Sequence, residues 1–392
     1  MTVFLVATLG KGSLDLYSMR LARYLDVPVI RTDIYQRVFE RFNKPLLSLS
    51  TLDEIRETWQ FARKMDAAEG IPHFPSHHFG RVGFMMKKPF IITVHDLIRY
   101  FDMIGYGPLI HRPNVKDRFW LNLDYHGVKK AAKIIVPSGR TKLDLMKFLG
   151  VPEDKIRVIY HGVDEVFKPT KGWRPCEEPY VLFVGSEHPR KNLTTLLIAF
   201  GKLKKEYPEF RDVKLVKAGR IGGGEEDFRR RTLELIKSLG IEKDVVFVDW
   251  ISQESLASMY TNAEVFAFPS LYEGFGWPPV EAMACGCPVI SSNTSCMPEI
   301  LGDAALYVNP RDVDGWKEAL ALILSDSNLR RKLTSRALER AKFFTWERAA
   351  KETLEVYREV EEQYSHKLKL LEPLPKLEVS KLELPCKVPV SG

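Results

Sequence analysis

The sequence of 392 residues lacks any apolar run that approaches the roughly 18 residues of a membrane span. Its opening apolar segment, residues 1–6, has no basic leader and is too short for a signal peptide. We therefore expect residues 1–6 to form a buried strand and the protein to be cytoplasmic, with peripheral attachment to the inner face of a membrane left open.

Cysteine is scarce, with five residues, and an odd number does not suit a disulfide framework. Cys285 and Cys287 are separated by one residue, and neither has a histidine nearby, so we expect small buried thiols and no metal. Motifs for binding nucleic acid are also missing, and no nucleic-acid partner is predicted.

The chain is long enough for two domains with separate cores. Short β-branched runs alternate with helical patterns and predict an α/β protein with two Rossmann-like domains. A segment rich in proline, glycine and charge follows residue 170 and marks the predicted boundary. The predicted divisions are a domain over 1–170, a second over 171–345, a terminal helix over 346–370 and a tail over 371–392, which is either an edge strand or without structure.

The formal net charge of +7 is unevenly distributed. Residues 1–170 hold 26 Lys and Arg against 18 Asp and Glu, whereas the remainder holds 32 against 33. A basic N-terminal half favours an anionic partner, such as a phosphorylated sugar or a membrane lipid, although a generally basic proteome would give the same excess.

The most informative stretch follows an apolar run, 263–268, that predicts a buried parallel strand. A glycine loop containing Glu273, Gly274, Phe275 and Gly276 follows, and Pro278 and Pro279 then suit the first turn of a helix that we expect to span roughly 278–285. The free amides of Phe275 and Gly276 would face a crevice at the strand's carboxyl end. This is a predicted binding site for a phosphate or a sugar.

Glu273 and Glu281 flank this predicted binding site, with seven residues between them. Neither lies in an obvious apolar pocket, so we expect both to be ionised acceptors for hydroxyl groups. The alternative is that Glu273 is a solvated loop residue and that Glu281 only complements the helix dipole.

The strings PSLYEGFG (269–276) and EAMACGCPVI (281–290) resemble the E-x7-E signature of the retaining glycosyltransferases of family 4, which have the GT-B fold. The string YHGVDEVFKP (160–169) resembles the end of that family's first domain, with His161 in place of the usual asparagine. The resemblance implies a nucleotide-sugar donor between two facing domains, transfer with retention and no metal. It also implies that Glu273 and the loop amides orient the sugar and that Glu281 holds the ribose.

A second loop follows the predicted strand 180–184 and contains Gly185, Ser186 and the pair Arg190 and Lys191. Taken alone, an Arg-Lys pair is more often a solvated helix start. The resemblance makes this the diphosphate-binding loop, in which Arg contributes a planar fork and Lys a point charge.

His95 ends another predicted strand, 89–94. It is either a structural histidine or, as the resemblance implies, a group beside the anomeric carbon of the donor sugar. The resemblance also assigns donor contacts to residues in three further loops: Gly10, Gly12 and Ser13 in the first; Arg220 in the second; Trp250 and Ile251 in the third. A phosphate-binding Walker loop is rejected at the first of these, because Gly12 stands where a hydroxyl residue should follow the lysine.

The predicted function is transfer of a hexose from a nucleotide sugar to an acceptor hydroxyl, with no cofactor. GDP-mannose is the favoured donor, because of His95-Asp96 and the PRKN string at 189–192, and UDP- or ADP-glucose are alternatives. The competing hypotheses are a GT-B epimerase or phosphorylase, and a nucleotide-sugar-binding protein without catalysis.

Overall fold

The structure is a computed structural model that describes residues 3–10, 12–39, 48–106, 109–219, 226–249 and 251–368. Two predicted donor contacts, Arg220 and Trp250, lie outside the described residues, as does the tail 371–392. The side chain of Ser13 is likewise outside the described part, although its backbone begins a helix.

The described residues form two parallel six-stranded sheets with helices packed around them. The strands of the first sheet are β1 (Val3–Thr8), β2 (Val29–Thr32), β3 (Ile71–Phe74), β4 (Ile91–Thr93), β5 (Lys133–Val136) and β6 (Ile156–Val158). Those of the second are β7 (Tyr180–Val184), β8 (Lys214–Ala218), β9 (Val245–Val248), β10 (Val265–Phe268), β11 (Val289–Ser292) and β12 (Ala305–Val308). We call the units around these sheets the N-terminal and C-terminal domains, and the boundary at residue 170 stays a prediction.

The helices of the first unit are α1 (Ser13–Tyr24), α2 (Leu49–Ala67), α3 (Gly80–Met85), α4 (Ile98–Ile104), α5 (Val115–Lys130) and α6 (Gly139–Leu149). They are followed by α7 (Leu193–Glu206), α8 (Glu226–Leu239), α9 (Gln253–Asn262), α10 (Trp277–Ala284), α11 (Met297–Leu301), α12 (Val313–Ser325), α13 (Ser327–Ala341) and α14 (Trp346–Leu368). Over the described ranges, none of the helices combines the length and hydropathy needed to cross a bilayer.

The order of the strands determines where each sheet can hold a ligand. The first sheet runs β2-β1-β3-β4-β5-β6 and the second β12-β11-β10-β7-β8-β9, so the order reverses between β1 and β3 and between β10 and β7. Open parallel sheets bind ligands beyond the carboxyl ends of the strands at such a reversal. In the second sheet the strands at the reversal lead directly into the two loops that contain Arg190 and Glu273.

The last helix, α14, packs against the first sheet, although it follows the C-terminal domain in sequence. Its buried side chains Ala349, Val356 and Val360 share a core cluster with Val3 and Leu5 of β1. Two polar contacts also join α14 to the first sheet. One runs from Tyr357 to His73 of β3, and in the other the backbone amide of Val3 in β1 donates to Glu361. The C-terminal helix therefore ties the end of the described chain to its beginning.

His73 lies at this junction and is fully buried. Its Nδ1 is 2.7 Å from the hydroxyl of Tyr357 and its Nε2 is 2.8 Å from that of Thr93. Burial, together with the nearby His95, lowers the pKa of His73 from 6.5 to about 3. The folded protein therefore holds this imidazole neutral at pH values where an unfolded chain would protonate it.

We predict that His73 makes the protein less stable in mild acid. Its contribution to stability is complete above pH 6.5 and is lost as the pH falls toward 3, because only the unfolded chain gains the proton. Between pH 7 and pH 5 the loss from this residue is about 2 kcal/mol. His73→Gln keeps hydrogen-bonding groups but cannot titrate. The free energy of unfolding in urea should therefore change between the two pH values by about 2 kcal/mol less in the variant than in the wild type. An equal difference in the variant and the wild type would contradict the assignment.

Candidate active site

The glycine loop and the helix after it form as the sequence predicts. The helix α10 begins at Trp277, has prolines in its first turn and ends at Ala284, and Gly286 follows with φ of 74°. Gly276 precedes the helix with φ of 87°, in the left-handed region that favours glycine. A Cβ there would also lie 2.5 Å from the methyl group of Met297, so the turn has no room for a side chain.

Three charged side chains predicted from separate motifs meet beyond the ends of β7 and β10. One carboxylate oxygen of Glu273, Oε1, lies 2.7 Å from Nη1 of Arg190 and 2.7 Å from Nζ of Lys191. The hydroxyl of Ser270 donates to the same oxygen over 2.6 Å. Glu273 and Lys191 are each only 7% exposed. The result is a buried ionic cluster of two cations and one anion.

The pKa values of this cluster follow from burial and mutual attraction. Burial alone would raise the pKa of Glu273, but the charges of Arg190 and Lys191 outweigh it and the pKa falls to about 2. Burial lowers the pKa of Lys191 to about 8, against the attraction of Glu273. The carboxylate is therefore ionised, as expected from the sequence, and the lysine is mainly charged at neutral pH.

The backbone around the two cations is fixed by contacts with both domains. Pro189–Lys191 forms a 3-10 turn, and Asn192 ends it with φ of 55°. The side-chain amide of Asn192 donates to the carbonyl oxygens of Pro269 and Pro310. The amide of Arg190 donates to the carbonyl of Leu109 over 3.1 Å. The cations are thus held by the C-terminal domain with one bond to the N-terminal domain.

The loop that contains Glu273 lies between the two domains and contacts the N-terminal one. The hydroxyl of Tyr272 donates to Asp144 over 2.7 Å, and Ser138 donates to the carbonyl of Gly274 over 2.7 Å. A Cβ at Gly274 would lie 1.8 Å from the carbonyl oxygen of His95, so only glycine permits this approach. The glycine loop that contains Glu273 and the predicted histidine are therefore in direct backbone contact.

The ring of His95 is buried, and both of its nitrogens are bonded to protein groups. Nε2 lies 2.8 Å from the carbonyl oxygen of Pro75, which can only accept, so Nε2 bears the proton and Nδ1 accepts from Nε2 of His161 over 3.1 Å. Burial lowers the pKa of His95 to about 4, so the ring is neutral. A direct role of this ring at the anomeric carbon stays a prediction.

Glu281 differs from the expectation that it would be ionised. It is half-buried in the first turns of α10, where Tyr260 donates to its Oε2 over 3.1 Å. Burial raises its pKa to about 7, although Arg20 and the Tyr260 hydroxyl oppose the change. The expectation was wrong because this carboxylate is buried by elements that are distant in sequence, including Tyr260 of α9.

The remaining predicted donor residues lie in loops around this crevice, with less specific contacts. Gly185 packs against Lys191, and a Cβ on it would be 3.5 Å from the lysine chain; Ser186 follows it and is half-buried. Ile251 packs at the border of a core cluster. Gly10 and Gly12 follow β1, where Asp15 accepts from the amide of Gly12. Their predicted contacts with the donor stay predictions.

Sequence reasoning missed Glu299. Its carboxylate, on α11 of the C-terminal domain, accepts from the amides of Gly139 and Arg140 at the start of α6 in the N-terminal domain. Tyr160 donates to it as well. The sequence does show a capped helix start at Ser138, whose free amides favour a carboxylate, but it does not show which carboxylate would arrive there.

Two family models match adjacent parts of the chain. The model for Glycosyltransferase Family 4 covers residues 13–167, and the model for Glycosyl transferases group 1 covers residues 167–340. They match in sequence order, and the residues described above as the ionic cluster fall within the second. The two models together leave only the ends of the chain unmatched.

Similar proteins agree with this assignment. O-antigen chain mannosyltransferase B of Escherichia coli is 28% identical over 329 residues, which are 72% of this chain and 84% of that protein. The fold resembles that of a sucrose-phosphate synthase from Thermosynechococcus elongatus, with a TM-score of 0.72 and 22% identity over 92% of this chain and 99% of that one. It also resembles Anabaena Alr3699/HepE, solved in complex with UDP-glucose, with a TM-score of 0.70 and 18% identity over 90% and 99% of the two chains. The chain belongs to the family 4 glycosyltransferases, has the GT-B fold and is a hexosyltransferase that uses a nucleotide sugar as its donor.

Proposed function

We propose that the protein transfers mannose from GDP-mannose to a hydroxyl group of an anionic acceptor, with retention of the anomeric configuration and without a metal ion. The observation that carries the proposal is the buried cluster of Arg190, Lys191 and Glu273. The mannosyltransferase relative from Escherichia coli supports the choice of sugar. The UDP-glucose complex of a protein with the same fold supports UDP-glucose as the alternative donor.

The cluster has the charges that a departing nucleoside diphosphate needs. Glu273 pairs with both cations, so each of them has a partner, and the cluster keeps a net positive charge. A bound diphosphate would take over Arg190 and Lys191 and release Glu273 to accept hydrogen bonds from the sugar hydroxyls. Fixed cations then stabilise the negative charge that grows on the diphosphate as the glycosidic bond breaks.

We predict that removing one cation slows the reaction more than it weakens donor binding. The cations interact most strongly with the fully developed charge of the leaving group, so Lys191→Ala should lower kcat by about 100-fold. Its effect on the Kd for GDP-mannose, measured by calorimetry, should be below about tenfold. Lys202→Ala, which removes an exposed cation of α7, is the matched control. Wild-type activity should also persist in EDTA, and a strict need for Mn²⁺ or Mg²⁺ would contradict the proposal.

We also predict that donor affinity depends on the ionisation of Glu281. If this carboxylate accepts from the ribose hydroxyls, its pKa of about 7 means that protonation opposes binding as the pH falls. The Kd for GDP-mannose should then rise about tenfold between pH 8 and pH 6. In Glu281→Gln, which retains an acceptor for Tyr260, the Kd should be higher and independent of pH over this range. A wild-type Kd that does not change with pH would refute the assigned contact.

The anionic acceptor is proposed from the excess positive charge of residues 1–170. Such a field acts over roughly 8–10 Å at physiological ionic strength and would raise the capture rate of a charged acceptor. The acceptor is a phosphorylated sugar or a membrane lipid, and in the second case the enzyme would act as a peripheral membrane protein.

We predict that kcat/KM for a hexose 6-phosphate acceptor exceeds that for the same unphosphorylated hexose and falls as salt is added. The rate with the neutral hexose should not change with salt, because screening acts only on the charged pair. Equal and salt-independent values for the two acceptors would favour a neutral acceptor instead.

A further inference from the structure

A groove in the N-terminal domain lies between the end of β2 and the helix α2. It has a volume of about 360 Å³, and its polar lining comprises Arg31, Arg37, Arg56, Glu57, Gln60 and Lys64. Its base is apolar and includes Ile30 and Met65, which belong to the core of the domain. The groove is therefore a fixed feature of packed elements.

Among the residues that the structure describes, carboxylates pair with some of the cations around the groove but not with all of them. Arg37 is shared between Asp33 and Glu57, and Arg56 lies 3.2 Å from Asp53. Arg31 and Lys64 have no ion pair or side-chain hydrogen bond with any residue that the structure describes. Arg31 from β2 and Lys64 from α2 thus line the groove without a carboxylate partner in the described part of the chain.

One end of the groove lies at the carboxyl end of β2, where Thr32 and Ile34 line it. β2 pairs with β1 up to Thr32 opposite Thr8, and the next amide, that of Leu9, donates to the carbonyl of Thr32. Gln36, beyond the end of β2, donates to Asp15, the residue that also accepts from the amide of Gly12. One wall of the groove is therefore bonded to the glycine loop that follows β1.

We propose that this groove binds the phosphate ester of the acceptor. A phosphate dianion can accept a bidentate pair of bonds from a guanidinium such as Arg31, while Lys64 adds a point charge from the opposite wall. A volume of 360 Å³ lies in the range of small-molecule sites and admits a phosphate with the sugar or glycerol attached to it. The inference rests on the proposed function in one respect, since it assumes that the anion bound is the acceptor.

The test compares two double variants that remove the same charge. Arg31→Gln/Lys64→Gln removes the two unpaired cations of the groove. Arg112→Gln/Lys129→Gln removes two exposed cations elsewhere in the N-terminal domain and serves as the control. Binding of inorganic phosphate and of a hexose 6-phosphate is measured by calorimetry, with GDP present at saturation so that Arg190 and Lys191 are occupied. Melting temperatures should match the wild type, because both pairs lie outside the core.

The groove variant should bind both phosphate probes at least tenfold more weakly than the control, with an unchanged Kd for GDP-mannose. Vesicles of phosphatidylcholine with and without phosphatidylinositol identify the source of the phosphate. If the groove variant loses binding only to the anionic vesicles, the site is assigned to a lipid phosphate. If it loses binding of the hexose phosphate, the site is assigned to a soluble phosphate ester. Equal binding by the two variants in every arm would overturn the proposal. If the wild type binds phosphate through the groove but binds no nucleotide sugar, the proposed function fails and the anion site stands.

Discussion

A single carboxylate, Glu273, pairs with two cations in a buried crevice, and the site depends on that arrangement. Because an unpaired charge at this depth would be costly, the contacts with Glu273 stabilise Arg190 and Lys191 in place. The low pKa of Glu273 reflects its attraction to these two cations. We propose that the donor exchanges one set of partners for another, with the diphosphate replacing the carboxylate and the sugar hydroxyls replacing the cations.

The same loop also joins the domains, so the chemistry and the domain arrangement are coupled. Tyr272 and Gly274 flank Glu273, and each makes a contact with the N-terminal domain. Glu299 reinforces the contact nearby by accepting from the free amides at the start of α6. A donor that moves the Glu273 loop must therefore act on the domain interface as well. This is a physical reason for glycine at position 274, where a side chain would separate the loop from His95.

Much of this arrangement follows from the sequence, because it depends on local patterns. The strands, the helix after the glycine loop and the cation pair were predicted from short runs of residues. The raised pKa of Glu281 and the role of Glu299 were not predicted. Both depend on which distant elements pack around a residue, and in a single sequence no pattern specifies the partner of a carboxylate.

The most direct test of the account is a crystal structure with an intact donor analogue bound. The account predicts that Nζ of Lys191 and the guanidinium of Arg190 lie within hydrogen-bond distance of the diphosphate, with no metal ion between them. It further predicts that Glu273 has left both cations and accepts from hydroxyl groups of the sugar. A diphosphate coordinated by a divalent ion, or a Glu273 still paired with both cations beside the bound donor, would contradict the central claim.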